Sequence, residues 1–471
     1  MNDNDLAKKI EASCRRQLND SAAIANLEQL SGGASMESWA FSFGDQDMVL
    51  RRLPEGLVSE QEDTAAISAI SLDAQADLIE IARNAGVRAP QVLARLTDED
   101  GMGQGFMMAR VAGETLPQKI LGNPDYAVAV SRLTSQCAHE LAAIHAISID
   151  LLPAEIQSID TPDLLSFQEE AYRALQAAIP AYDYAFRWLE DNIPQAQEPK
   201  LLHADFRMGN FMIDKQGIGA VLDWELAHLG DPMQDLAYLC TPSWRFGYYD
   251  KEAGGFDSAD NMIAAYEKAS STTVDRNRFN WWLVYNTLWW GVTCLRMGHS
   301  YRDGTVPILE RTIIGRRASE SEIDLLLQFE HMGLAQGAPV PFKTPPLLPE
   351  HGEVEYAEIL NALIEWNKDK VMPSAKGHAL FEARVANNAL GIAQRHAAWG
   401  QQYAEQSGAR LASMGISADA FCCALRGGST AITDPEVWDH MRLTALERLS
   451  IDQPKYAGLK VALEKWTIDR L

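Results

Sequence analysis

Residues 201–224 read LLHADFRMGNFMIDKQGIGAVLDW, and no other stretch limits the fold so tightly. Two apolar runs, 211–213 and 218–222, have the length of strands rather than helices, and a polar loop opening with His203 and Asp205 precedes them. The chain must therefore present a loop on a small hairpin, with Asn210 five residues after Asp205 and Asp223 thirteen after Asn210. Upstream, Trp39, Phe41 and Phe43 alternate with Ala40 and Ser42, the turn GDQD follows, and residues 48–50 form a second apolar run. This predicts a β-hairpin. A helical period over 64–85, short strand-like runs in LARL and GFMMARV, and a second helical stretch over 128–147 complete the pattern. Short β before long α predicts an α+β fold with a small sheet lobe and a larger helical lobe.

Composition excludes several classes of partner. The net charge of −24 repels nucleic acid and anionic membrane surfaces, so neither is expected to bind. An anionic metabolite stays open, because a local Arg cluster and a metal ion override the global sign within a screening length of roughly 8 Å. The six cysteines show no CxxC or metal-ligand spacing, which excludes a disulfide framework and a structural zinc and fits a reducing cytosol. The N-terminus, MNDNDLAKKIEASCRRQL, lacks the apolar core of a signal peptide, so the expected location is cytoplasmic. The most hydrophobic stretch, 279–297, is interrupted by Asn280, Asn286 and Arg296 and predicts a buried helix rather than a membrane span.

Residues 337–352, GAPVPFKTPPLLPEHG, hold five prolines between segments of helical period and predict an extended linker. Beyond it, Tyr356, Ile359, Leu360, Leu363 and Ile364 share one face of a helix expected to end before Pro373. Phe381, Val385 and Ile392 mark another helix, and Leu459, Leu463 and Trp466 a last one. No internal repeat points to a solenoid.

Taken singly, Asp205, Asn210 and Asp223 read as turn or cap residues and His203 as a packed histidine. Together they have the makings of phosphoryl transfer, which needs a carboxylate to orient and deprotonate the attacking hydroxyl and two oxygen ligands to hold Mg²⁺ against ATP. The spacing is that of the protein-kinase catalytic loop, HxDxxxxN and then Asp, with Trp224 where kinases carry Phe-Gly. HADFRMGN and VLDWELAHLGDPMQDLAYL resemble the aminoglycoside-phosphotransferase-like (choline-kinase-like) family over about residues 20–330. The resemblance implies a bilobal protein-kinase-like fold: residues 1–110 as the β-rich N-lobe, 111–336 as the helical C-lobe, 337–352 as the linker and 353–471 as an all-α domain. It also implies ATP and Mg²⁺ as cofactors, Asp205 as catalytic base, Asn210 and Asp223 as metal ligands and His203 as a loop organiser. Asp231 and Asp235 match positions that brace the helical lobe or approach the substrate.

At the nucleotide end, Ser31-Gly32-Gly33-Ala34-Ser35 reads either as a plain hairpin turn or as a turn whose N–H groups meet phosphates, which makes Gly32, Gly33 and Ser35 candidate ATP contacts. Arg51 matches the family's basic residue for the α and β phosphates, and Gln75 stands where its acidic partner is expected, with Asp77 and Glu80 nearby. Residues 106–111 match the hinge, so the backbone at Met108 and Arg110 is expected to read the adenine edge. HxDFRxGN with LDWExAxxGDPxxDLA, and GRRASESEIDLL at 315–326, are most similar to the branch associated with acyl-CoA dehydrogenases and hydroxyacyl-CoA phosphorylation. The tail resembles a small helical family that accompanies such kinases.

The expected function is an ATP-dependent phosphotransferase acting on the hydroxyl of a CoA-linked or free hydroxy acid. The alternatives are an aminoglycoside or amino-alcohol kinase and a nucleotide-binding regulatory module without turnover. A homo-oligomer is left open. A CoA substrate would need a basic patch near Asp205, drawn from Arg207, Arg245, Arg296, Arg316 and Arg317; Arg207, inside the loop, is the leading candidate and the one given a catalytic role, the alternative being that it pairs with an acidic neighbour and only holds the loop.

Overall fold

Asn2 caps a helix that the polar N-terminus gives little sign of: its side chain accepts from the N–H of Asp5 at 2.9 Å, acidic residues fill the first turn and Arg15 and Arg16 the last. In the computed structural model, which describes residues 2–30, 36–54 and 69–468, this is α1 (Asp3–Leu18). Contacts divide the chain into two compact units, Met1–Leu164 with Pro194–Leu283, and Leu165–Ile193 with Val284–Leu471.

In the first unit, β1 (Ile24–Gln29), β2 (Glu37–Phe43), β3 (Gln46–Leu53), β4 (Val92–Arg95) and β5 (Gln104–Ala109) form one antiparallel sheet in the order β1-β2-β3-β5-β4, with α2 (Leu72–Asn84) contacting β4 and β5. The expected hairpin is β2–β3, with Trp39 opposite Leu50 and Phe41 opposite Met48. Those residues bury against Leu6, Ile10 and Cys14 of α1, which recur at helical spacing. After β5 come α3 (Pro117–Ile120) and α4 (Ala127–His145), and chain from the second unit, α5 (Thr161–Ala174, its first turn in the first unit) and α6 (Pro180–Asp191). The first unit resumes with β6 (Lys200–Leu202), β7 (Phe211–Asp214), β8 (Gly217–Val221), β9 (His228–Gly230), α7 (Met233–Leu239) and α8 (Ala259–Ser270). β7 pairs with β8 as the expected hairpin, β6 pairs with β9, and α4 packs on α8 and β8.

α9 (Arg276–Arg302) runs from the first unit into the second and is the buried aromatic helix that the sequence predicts: Phe279, Trp281, Trp282, Leu288 and Val292 are all buried. Among the described residues no helix is long and apolar enough to cross a membrane. The second unit adds α10 (Leu309–Arg316), α11 (Ala318–His331), α12 (Tyr356–Trp366), α13 (Gly377–Ser413), α14 (Ala418–Gly427), α15 (Pro435–Asp452) and α16 (Ala457–Trp466). In it α6 packs against α11 and α14, α11 against α15 and α16, and α12 against α13. Of the apolar residues expected on one face of α12, Ile364 is buried, whereas Tyr356, Ile359 and Leu363 are exposed.

This division departs from boundaries at residue 110 and at 337–352. The proline-rich segment belongs to the second unit because its backbone is tied to the tail helices. Arg442 donates to the Ala338 carbonyl at 2.9 Å, Trp399 Nε1 to that of Pro346 at 3.2 Å, and Val340 exchanges backbone bonds with the end of α16. The longest continuous exposure runs from 349 to 356, whereas that at 336–339 is short and its backbone is tied to Arg442. Limited proteolysis is therefore expected to cut within 349–354 before 337–347; mass spectrometry of the first fragments checks this, and early cuts around Val340 would contradict it.

Candidate active site

The loop after β6 is shaped from behind by one buried carboxylate. Asp235, in α7, accepts the backbone N–H groups of His203 and Ala204, each at 2.8 Å, and lies 3.3 Å from Nε2 of His145, whose Nδ1 meets the Tyr266 hydroxyl at 2.8 Å. These bonds hold Ala204 at φ +64°, a left-handed conformation that a residue with a Cβ adopts only under constraint. Burial raises the Asp235 carboxyl, but the hydrogen bond and charge of His145, the nearby His203 and the backbone donor hold it below the ordinary value. A lowered folded pKa gives stabilisation that is complete above the unfolded value near ~4 and is lost as pH falls through the folded value. Asp235→Ala, which leaves buried N–H groups unpaired, is expected to reduce stability by roughly 3 kcal/mol at pH 7 and by less in acid. Denaturant titrations at pH 7 and at the lowest pH below 4 at which the parent protein stays folded check this; an equal loss at both would remove the ionised carboxylate from the account.

His203 is buried, with Nε2 2.9 Å from the Leu222 carbonyl and Nδ1 accepting the Asp205 N–H at 3.2 Å, and its ring lies against Phe206 and Trp224. It thereby ties the loop to the residue preceding Asp223. The Asp205 carboxylate receives Nε of Arg207 at 2.9 Å and the side-chain amide of Asn210, which also donates to the Asp205 carbonyl at 3.0 Å. The guanidinium of Arg207 lies 4.5 Å from the ring centre of Trp244. Asp231 braces the helical part: it accepts from Arg278 at 2.6 Å, Trp282 at 2.7 Å and Gln197 at 2.6 Å.

Asp223 sits after β8 at φ +67°, and its Oδ1 meets Nη2 of Arg51 at 2.8 Å; the same nitrogen meets Oε2 of Glu225 at 2.6 Å. Arg51 therefore has its acidic partners in the loop after β8, not in α2. Gln75 is buried and donates to the Ile70 carbonyl at 2.9 Å, while Asp77 and Glu80 both pair with Arg95, each at 2.6 Å. Ile70 in turn donates its N–H to the Glu225 carbonyl at 3.0 Å, so α2 reaches this loop through the backbone. Burial, and then the neighbouring Asp223, push the Glu225 carboxyl up to about 7, with Arg51 opposing. Sequence reading gave Glu225 no role, although it stands two residues after Asp223 in the quoted LDWE.

The hinge needs correction in detail. Met108 lies inside the sheet, in register with Val49 and Val92, and the N–H groups of Ala109 and Arg110 donate to the carbonyls of Gln91 and Asp47 at 2.8 and 2.9 Å. Those donors are taken up by the sheet and cannot also read a base edge. Gly113 follows at φ +155°, and a Cβ there would lie 2.8 Å from the Ile213 carbonyl, so glycine lets the strand exit approach β7. Gly32, Gly33 and Ser35 lie outside the described residues. Of the expected basic patch, Arg245 donates to the carbonyls of Cys240 and Tyr249, Arg316 pairs with Asp452 and Arg317 with Glu320.

The donor set suits a hard cation. The amide nitrogen of Asn210 is engaged by Asp205, which makes its Oδ1 the atom available to a metal, and Asp223 adds a carboxylate. Mg²⁺ characteristically takes one or two such protein oxygens and completes its shell with phosphates and water.

Residues 373–456 match a domain of unknown function (DUF6285). Among curated relatives, mouse acyl-CoA dehydrogenase family member 10 is 30% identical over 45% of this chain and 20% of its own length. Mouse acyl-CoA dehydrogenase family member 11 is 22% identical over 79% of this chain and 48% of its own length. The chain thus spans between about a fifth and a half of the curated relatives it matches. A crystal structure of a candidate aminoglycoside phosphotransferase from Ralstonia eutropha JMP134 superposes with a TM-score of 0.56 at 20% identity, covering 69% of this chain and 98% of that one, and so shares the fold. Residues 26–271, more than half of the sequence and all of the loops just described, match the phosphotransferase enzyme family, and the chain belongs to that family.

Proposed function

We propose that this phosphotransferase transfers the γ-phosphoryl group of ATP to the hydroxyl of a small molecule, with a hydroxyacyl-CoA or hydroxy acid as acceptor. The observation that carries the reading is the junction of two loops: Asp205, oriented by Arg207 and Asn210, and Asp223, bridged to β3 through Arg51. Asp205 orients the acceptor hydroxyl and takes its proton as the oxygen attacks the γ-phosphorus; the bond to the bridging oxygen breaks and ADP leaves with that oxygen. Arg207 is a positioning residue, since its guanidinium holds the Asp205 carboxylate. Arg51 neutralises phosphate charge. Its forked donor set serves the α and β phosphates, and Glu225 keeps it aimed while they are absent. Asn210 and Asp223 would hold Mg²⁺, which supplies charge neutralisation at the transferring group. The adenine edge falls to backbone groups after Arg110.

The acceptor class is supported by the curated relatives, which are named as acyl-CoA dehydrogenase family members and share this region of sequence. The test is purified chain with ATP, Mg²⁺ and a panel of hydroxyacyl-CoAs, hydroxy acids, amino alcohols and aminoglycosides. The highest kcat/KM is expected on a hydroxyacyl-CoA or hydroxy acid, with inhibition by free CoA and none by kanamycin-like cations. A higher kcat/KM on an aminoglycoside would overturn the acceptor assignment, and no turnover on any acceptor would favour a nucleotide-binding regulator.

A further inference from the structure

Part of the apolar pattern of α12 is bare. Tyr356, Ile359, Leu363 and Trp366 lie within one stripe of the helix and are 80%, 49%, 43% and 58% exposed, and Val354, just before the helix, is 73% exposed. The opposite face is satisfied within the unit: Ala357 and Ile364 are buried, and Gln394 of α13 donates to Asn361 at 3.0 Å. The stripe is therefore a second apolar face, not a misplaced first one. At the full areas of such side chains it presents roughly 600 Å² of largely apolar surface, at the upper end of the largest patch that a monomer ordinarily leaves exposed. A stable interface buries about 800 Å² per partner, so this stripe with a modest polar rim is the right size for one.

Charge along the helix indicates the partner. Glu353, Glu355 and Glu358 cluster at the start of α12, and Lys368, Lys370 and Lys376 follow its end, with Glu365 and Asp369 reducing the positive sum. Two copies laid antiparallel bring the acidic end of each against the basic end of the other, and a two-fold axis then buries the same stripe on both. A parallel arrangement would instead place like charges together. We propose that the α12 stripe is the interface of a homodimer, in which a second copy of this chain lies antiparallel across Tyr356, Ile359, Leu363 and Trp366.

Sedimentation velocity and light scattering of the full chain between about 1 and 100 µM test this. The expected result is a concentration-dependent dimer whose Kd rises at least about 30-fold in Leu363→Glu and in Trp366→Ala, the loss of an aromatic anchor. Both side chains are exposed, so the thermal midpoint of dilute, monomeric protein should stay unchanged. Lys368→Glu with Lys370→Glu should weaken the dimer, and adding Glu353→Lys with Glu355→Lys should restore it. A chain that stays monomeric at 100 µM would overturn the proposal and leave the face to a different partner. So would a dimer indifferent to Leu363→Glu and Trp366→Ala, or charge variants without rescue.

Discussion

Asp205→Asn is expected to lower kcat by about 10² or more while ATP affinity stays near that of the parent protein, since a positioned general base typically contributes 10² to 10⁴. The substitution is nearly isosteric, so Arg207 keeps an oxygen to donate to, but the proposed basic site for the acceptor proton is lost. The new amide also meets the Asn210 amide that now donates to Asp205, which is a reason to verify the loop independently. Equilibrium nucleotide binding and single-turnover phosphoryl transfer, measured separately, distinguish the two effects. Turnover close to that of the parent would remove Asp205 from the chemistry, and loss of nucleotide binding with turnover would point to a collapsed loop.

Asp223→Asn is expected to act through the metal and through Arg51. It removes the charge that pairs with Arg51 at 2.8 Å and weakens the proposed Mg²⁺ ligand, so the Mg²⁺ concentration for half-maximal activity should rise by at least about 10-fold, with kcat reduced. Asn is preferable to Ala because the residue sits at φ +67°, where Asn is tolerated and Ala adds strain of roughly 1 kcal/mol or more. A Mg²⁺ titration that superposes on that of the parent would contradict the ligand assignment. Glu225 retains its bond to Arg51 in this variant, so Asp223→Asn with Glu225→Gln should lose more ATP affinity than either change alone.

Local patterns carried much of this fold. The period-two run Trp39, Phe41, Phe43 and the apolar pairs around GDQD and DKQG each encode a strand within a few residues, and they became β2–β3 and β7–β8. The acidic partners of Arg51 were not legible in the same way. Asp223 and Glu225 lie 172 and 174 residues from it, and a single sequence holds no periodicity over such a distance. Gln75 looked like a vacancy in an expected ion pair, yet the charge balance had moved to another element. The packing of 337–352 escaped for a related reason: proline density signals an extended backbone, but not whether the extended backbone is packed. On α12, apolar spacing located a helix but not which of its apolar residues are buried, because a stripe facing solvent and one facing a core have the same period.

The framework of the catalytic loop has a consequence for how such a chain can change. The groups that set the loop's shape, Asp235, His145, His203 and Tyr266, are buried, while Asp205 and Arg207 retain some exposure. Conformation is thus encoded behind the loop, and the residues proposed for the chemistry stand in front of it. Mutations that reshape the acceptor side can accumulate without disturbing the hydrogen bonds that fix Ala204 and Asp205, so acceptor choice can drift while phosphoryl transfer is retained. A library varied only at partly exposed acceptor-side positions should therefore yield many folded proteins of altered preference, whereas one varied at the four framework positions should yield few.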